Sequence, residues 1–499
     1  MGEVWLKMGL FGPDSMLLNQ IEKNNYLTHE QFDSMNNDVV EIIKFVTAIL
    51  KSLKHTNNYP SMSRFFSLSI VFCTLFACSK VDLSSQNDRQ ELPVAMVECD
   101  TCQYPIVMVH GFLAAGDTWT KFQQLFHTNG YNRKLLYAFD WNSLGTANNT
   151  VLLDQFIDTV LSQTGATHVR LIGHSAGGGV CYTYLSDAAR AAKVDGYVHI
   201  GSSVQQGPAG PSGTAPTLNI WSSADAIAQG GNIAGATNVQ LPGQDHYQVA
   251  TSPESFAAVW QFFHQNPPPS TVIKVQGPLV CISGKVLFFG ENTPLSAAKV
   301  EIWEVDAATG ARVSGNPNFV FLTDSKGQWG PENVKAGTTY EFVTIPSNSN
   351  QRTVHYFREG IIHLNSLVYL RTIPPPPSLA GILLAGLPST ANQAVLNIFS
   401  ASQSVLNGRD TLTASGAVLS TPQYASASKT AITYFLYDDG DGMTELSPVG
   451  AFGGFAFLNG VDMYFPTATP GTIPIQLNNR QLNLRNIKSS EGVVVGVFD

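Results

Sequence analysis

Leu171-Ile172-Gly173-His174-Ser175-Ala176-Gly177-Gly178-Gly179 is the stretch on which the reading of this 499-residue chain turns. The apolar run Val169–Ile172 precedes it and a helical stretch from Gly178 follows, so the serine lies in a strand-to-helix turn with glycine two positions away on each side. Small neighbours let strand and helix approach without collision, and the turn holds the serine in a strained conformation with its hydroxyl free at the helix N-terminus. The helix dipole and the unpaired N–H groups there favour developing negative charge. Ser175 is the candidate nucleophile, and the Ala176 N–H is one candidate donor to an oxyanion.

Working outward, residues 104–266 alternate short apolar strands with amphipathic helices, the pattern of a mostly parallel sheet covered on both faces. Strands are expected at Ile106–Val109, Leu135–Phe139, Val169–Ile172, Tyr197–Ile200, Leu218–Trp221 and Asn238–Leu241, and helices near Leu152–Gln163, Gly178–Ala192 and Ser255–Gln265. After the first strand, His110-Gly111-Phe112-Leu113 supplies the loop for a second oxyanion donor, the Phe112 N–H, with His110 shaping the loop rather than moving protons. A base that follows the nucleophile and the acid in chain order fits His246, in Gly243-Gln-Asp-His-Tyr247. The acid that orients it fits Asp225, which follows the strand before the histidine loop; Asp245 adjoins the histidine and would struggle to fold back onto it. Asp140 reads as a polar strand end, and the alternative to a catalytic Asp225 is a helix N-cap ahead of Ala226.

Pro267-Pro268-Pro269-Ser270 breaks the alternation as a stiff linker (267–271). Beyond it, period-2 runs such as Lys299–Val305 and Thr339–Val343 alternate with Gly, Asn and Asp turns, so 272–373 reads as a β-sandwich. Pro374–Pro377 forms a second linker (374–378), and 379–499 reads as a second β domain without an obvious helix period. The fold class is α/β followed by all-β domains.

His-Gly-Phe-Leu (110–113), Gly-His-Ser-Ala-Gly (173–177), Ser-Ser-Ala-Asp (222–225) and Asp-His-Tyr (245–247) resemble the α/β-hydrolase lipases and esterases, especially small bacterial lipases with no separate lid. A wider resemblance, through Asp245–Phe256 and Val354–Arg358, is to an archaeal lipase with a C-terminal β domain. There the acid stands earlier, where this chain has Gly201, so the role moves to Asp225. The resemblance implies hydrolysis of ester, lipid or polyester substrates with no cofactor. Residues 272–345 are also similar to carboxypeptidase-regulatory-like β modules, which implies no catalysis. Only Asn142–Asp154 is available where the archaeal relative has a helical lid, so an open elbow is expected, with soluble esters of short to medium acids preferred and polyester chains admitted slowly; β domains overhanging the site would close it.

Charged residues are 13% of the chain and the net charge is −9, which argues against nucleic acid as a partner. Met62-Ser-Arg64, the apolar run Phe65–Phe76 and Leu75-Phe-Ala-Cys78 resemble a bacterial lipoprotein signal. On that reading residues 1–61 precede the translation start, 62–78 are the signal and 79–103 a linker. Cys78 is then lipidated and holds a cell-envelope or secreted protein to the membrane. An oxidising compartment would let Cys99 and Cys102 close a small disulfide, while Cys181 and Cys281 read as small buried apolar residues. Asp438-Asp-Gly-Asp-Gly-Met-Thr-Glu445 lacks the register of an EF-hand loop and reads as a Gly-rich hairpin turn; no metal is expected.

Overall fold

The computed structural model describes residues 103–348, 350–468 and 471–499. The signal-like segment with Cys78, and Cys99 and Cys102, lie outside the described residues. Six parallel strands, β1 (Ile106–Val109), β2 (Leu136–Phe139), β3 (Val169–His174), β4 (Val194–Ile200), β5 (Thr217–Trp221) and β6 (Thr237–Gln240), form one sheet in the order β2-β1-β3-β4-β5-β6. The connecting helices are α1 (Thr120–Thr128), α2 (Asn149–Thr164), α3 (Ala176–Leu185), α4 (Ala188–Ala191), α5 (Gln248–Thr251) and α6 (Pro253–His264).

Both faces of this sheet are buried, which is why the strands read as continuous apolar runs. Ile106, Met108, Ile172, Val198 and Ile220 turn to one side and pack on Phe122 and Phe126 of α1 and Phe256 and Trp260 of α6. Val107, Val109, Leu171 and Tyr197 turn to the other, onto Leu153 and Ile157 of α2 and Tyr184 of α3. Helix ends follow local chemistry. The Asn148 side chain caps α2 by accepting from the Val151 N–H, and Gly165 closes it at φ 68°. Ser252 caps α6 with Pro253 in its first turn.

The remaining strands are β7 (Leu279–Phe288), β8 (Lys299–Glu304), β9 (Phe319–Leu322), β10 (Gln328–Lys335), β11 (Tyr340–Ile345), β12 (Val354–Arg358), β13 (Leu370–Thr372), β14 (Leu396–Ser400), β15 (Leu412–Ala414), β16 (Ala417–Val418), β17 (Thr433–Tyr437), β18 (Leu458–Asp462), β19 (Thr472–Leu477), β20 (Arg480–Arg485) and β21 (Val493–Phe498). They build a three-stranded sheet β10-β7-β13, a four-stranded sheet β16-β15-β19-β20, and an eight-stranded sheet β18-β17-β14-β21-β12-β11-β8-β9. The eight-stranded sheet corrects the expectation of two β domains parted by a linker. β12, from before Pro374–Pro377, pairs in parallel with β21 at the chain end, and β21 pairs with β14. The prolines therefore do not mark a domain boundary. Just after them, Ser378 caps a short helix, α7 (Leu379–Leu384), too brief to show a period in sequence.

The first proline segment is also pinned. The Ser270 N–H and C=O both bond the Asn129 side chain at the end of α1, each at 2.8 Å. Leu287, Leu367 and Tyr369 enter the same apolar cluster as α1 and α6. Partly buried ion pairs cross the contact: Arg371 Nη1 to Asp117 at 2.8 Å and Lys285 to Asp140 at 2.6 Å, with the Tyr369 hydroxyl donating to Asp140 at 2.9 Å.

Candidate active site

Ser175 stands between β3 and α3 at φ 53° and ψ −127°, a conformation an L-residue keeps only where its surroundings over-determine it. Its N–H donates to Ile200 C=O at 3.0 Å, and its own C=O accepts from the Ser202 hydroxyl at 2.8 Å. The elbow needs its glycines for space. A Cβ on Gly177 would lie 2.3 Å from the His110 carbonyl oxygen, and one on Gly173 would lie 2.8 Å from the Gly177 carbonyl oxygen.

Three expected side chains meet here. His246 Nε2 lies 2.9 Å from Ser175 Oγ, and His246 Nδ1 lies 2.8 Å from Asp225 Oδ2. With the Nδ1 proton donated to the carboxylate, Nε2 accepts from the serine hydroxyl. Asp225 is buried and would be raised in pKa by burial; the hydrogen bond and charge of His246 and the N–H groups of Ala228 and Ile227 hold it below the ordinary carboxylate value. It thus caps a turn with one oxygen and orients the imidazole with the other. Gly201, at φ 49°, explains the displaced acid: a Cβ there would sit 3.5 Å from Asp225 Oδ2 and 2.7 Å from Val249. The Asp225 carboxylate stands against the space that a side chain at 201 would need.

Neighbours of the imidazole were less visible in sequence. Asp245 does not compete for His246. It accepts from the N–H groups of Tyr247, Gln248 and Ser404, and pairs with Arg409 at 2.9 Å, so the histidine loop is tied to the C-terminal β region. His174, the middle residue of the elbow, donates from Nε2 to the His246 C=O at 2.9 Å. Burial, and then the nearby His246, push its pKa down to about 3, so it is a neutral strut under the base. Phe457 stacks on the His246 ring at 6.0 Å and sits at φ 72°, costly for a bulky residue. Backbone bonds from its N–H to Lys429 C=O and to its C=O from Ile432 and Thr433 hold it there.

The loop after β1 lies against the nucleophile: a Cβ on Gly111 would be 3.0 Å from Ser175 Cβ. Phe112 follows it, and Ala176 opens α3, where the first N–H groups lack intrahelical acceptors. His110 is buried and its pKa is lowered by that burial. It bonds Gly111 C=O through Nδ1 at 2.8 Å and accepts the Trp141 N–H at 3.2 Å, so it shapes the loop. Asn292, from the β7–β8 connection, reaches in with Nδ2 to Ala114 C=O at 2.7 Å and Trp141 C=O at 2.9 Å. Nothing in the sequence near residue 292 signals this contact.

The elbow is not open. Phe289, Tyr356, Phe399, Phe435, Phe457 and Val495 roof an apolar cavity of about 90 Å³ whose floor includes Ser175 and His246. The overhanging β region thus supplies the cover that a lid would, while Phe112 and Ala176 remain exposed at the mouth. Cys181 is a buried free thiol as expected; Cys281 is free but half-buried, with Arg133 Nη1 3.6 Å from its sulfur. Carboxylate oxygens of Asp438, Asp439 and Asp462 lie within 4.8 Å of one another, but those of Asp438, and of Asp462 at the end of β18, accept backbone N–H groups of the 438–445 loop.

Parallel strands with the elbow after β3 define an α/β-hydrolase. Residues 103–207 match the family described as lipase (class 2), and residues 279–375 match the lipase C-terminal domain. These two stretches are thus similar to the catalytic and C-terminal parts of lipases. Solved structures similar to it include a CIB-like hydrolase from Thermoplasma acidophilum, 20% identical over 34% of this chain and 88% of that one, TM-score 0.26. Another is the mature lipase BlEst2 of Bacillus licheniformis, 15% identical over 31% and 90%, TM-score 0.26.

Proposed function

We propose that this protein hydrolyses carboxylic esters by a two-step acyl-enzyme route. Ser175 attacks the carbonyl carbon while its proton passes to His246 Nε2; the Phe112 and Ala176 N–H groups receive the oxyanion. The imidazolium, held by Asp225, protonates the leaving alcohol, and water repeats the sequence to release the acid. The observation that carries this reading is the Ser175–His246–Asp225 hydrogen-bonded chain, 2.9 and 2.8 Å, at the base of an apolar cavity.

The substrates are esters of short to medium acyl chains, with the acyl group against the roof and the alcohol toward the exposed mouth; polyesters react slowly at accessible ends. The apolar lining of the roofed cavity, with Ser175 and His246 on its floor, supports an apolar acyl group there. A fluorophosphonate probe tests the chemistry: Ser175 is labelled in the native protein and not in Ser175→Ala. Absence of label, with no ester turnover, would favour a surface-binding protein instead. The lipobox-like Leu75-Phe-Ala-Cys78 supports lipid attachment at Cys78 of an exported protein; mass spectrometry of membrane fractions would sink that if the mature N-terminus were Met1.

A further inference from the structure

Alternate residues of the roof strands face opposite ways. Leu396, Ile398, Tyr434 and Leu436 enter an apolar core, while Asn397, Phe399, Thr433 and Phe435 face the cavity above Ser175. On an otherwise apolar wall, Asn397 is opposite Phe435 on one side and Val495 on the other, and Thr433 is opposite Phe399 and Leu458. Asn is depleted in strand interiors, because such positions reward side chains that pack. Asn397 is 8% exposed; its amide nitrogen has only a long 3.4 Å bond to Tyr434 C=O, and its Oδ1 has no partner among the described residues. Thr433 is 4% exposed and its hydroxyl makes no side-chain hydrogen bond among those residues. Thr372, on the same cavity and 1% exposed, leaves its Oγ1 unpaired too.

Buried polar groups are almost always hydrogen-bonded, so three under-used ones around one apolar cavity point to a ligand that completes them. That ligand is neutral. Hydroxyl and amide groups bond a hydroxyl or carbonyl oxygen equally well, and Arg371, the one Lys or Arg among the described residues that line the cavity, spends both terminal nitrogens on Asp117. It is also part of an apolar chain, since Phe399, Phe435 and Val495 surround it. We propose that Asn397 and Thr433, with Thr372, form a polar subsite for an oxygen-bearing acyl chain: a hydroxyacyl ester, or an oligoester whose next ester carbonyl takes the place of the hydroxyl. This rests on the ester-hydrolase reading and names its substrate class.

The test compares kcat/KM for p-nitrophenyl decanoate with that for decanoates hydroxylated at different carbons, and with a hydroxydecanoate dimer ester, in wild type, Asn397→Leu and Thr433→Val. Wild type is expected to favour the best-placed hydroxydecanoate or the dimer by about tenfold, the scale on which a site built for a polar group rejects an analogue lacking it being larger still. A preference for the hydroxy monoester identifies the hydroxyl, and one for the dimer alone the carbonyl. In either variant the ratio of oxygenated to plain ester falls to about one, whatever the absolute rate; Thr433→Ser keeps it. Thr433→Val, close in shape, gives the same readout should Asn397→Leu not fold. Equal rates on all chains in wild type, or a preference that survives both variants, overturns the subsite. Failure of the ester-hydrolase reading is a different result: no turnover of any ester and no fluorophosphonate label on Ser175.

Discussion

In the parallel-sheet region the groups around Ser175 come from successive connections at the C-terminal side of the strands: the loop after β1, the elbow after β3, Asp225 after β5 and His246 after β6. In the β region the groups facing the same serine come from β12, β14, β17 and β21 and from loops between them, brought together only by strand register. The first region holds reactive atoms with local turns; the second shapes space with long-range pairing. Chemistry and shape are therefore separable by mutation, and they break differently.

The largest effects belong to the first region. Ser175→Ala and His246→Ala are expected to lower kcat by about 10⁵- to 10⁶-fold with melting temperature little changed, and Asp225→Asn by about 10⁴-fold. Ester turnover near wild type in any of the three would break the comparison at its root.

Next comes the seam. Asp117 is buried and Arg371 is half-buried, and burial would lower the arginine pKa if the carboxylate did not more than offset it. Arg371→Met leaves a buried carboxylate without its partner and is expected to destabilise the protein by about 3–5 kcal/mol. Urea unfolding measures this, and Asp117→Asn/Arg371→Met should recover much of the loss. Equal stability of the double and single variants would mean that packing, not charge, holds the seam.

A smaller effect tests whether the β region reaches into the chemistry. Asn292→Leu removes the two bonds to Ala114 and Trp141 that brace the Phe112 loop. Because a lost oxyanion donor costs about 10²–10³ in kcat, a loosened one should cost about tenfold, in kcat rather than KM. A change confined to KM would make Asn292 part of the substrate wall.

These contrasts also explain what was legible. Gly173-His-Ser-Ala-Gly177 is read easily because strand, turn and helix are adjacent in the chain, so glycine spacing encodes the elbow directly. Asp225 could be chosen because a carboxylate after a late strand is where the far imidazole nitrogen lies. Asn292 lies 182 residues from His110, and its side chain acts through a non-local contact that no periodicity records. The roof was missed as a certainty for the same reason: β12 gives no sign that its partner is β21, and Pro374–Pro377 reads locally as an end. Phe457 is an ordinary aromatic until its positive φ and its stacking on His246 are seen together.

The smallest predicted effect separates the regions by acid. His127 of α1 and His363 of the β region meet ring to ring, Nδ1 to Nε2 at 2.9 Å, with His363 Nδ1 donating to Lys274 C=O. Burial, then His363 and Arg133, lower the His127 pKa to about 4. The unfolded chain takes up a proton near pH 6.5 that the folded one refuses, so this contribution to stability is whole above pH 6.5 and erodes as pH falls toward 4. His199 and His264, also held near 4 by burial, erode in the same window. Glu341 in the β region acts with the same sign in a lower window: burial would raise its pKa, but His355, Arg312 and Arg485 hold it at about 2, so its contribution is whole above pH 4.5 and erodes as pH falls toward 2. Acidification should therefore abolish ester turnover and the far-ultraviolet helix signal first, with strand signal persisting to lower pH. His127→Gln should lessen the fall in melting temperature between pH 7 and 4.5 slightly, since the other buried histidines remain. An identical pH slope in wild type and His127→Gln would place the acid-sensitive step elsewhere, and simultaneous loss of helix and strand signals would mean that the seam welds both regions into one cooperative unit.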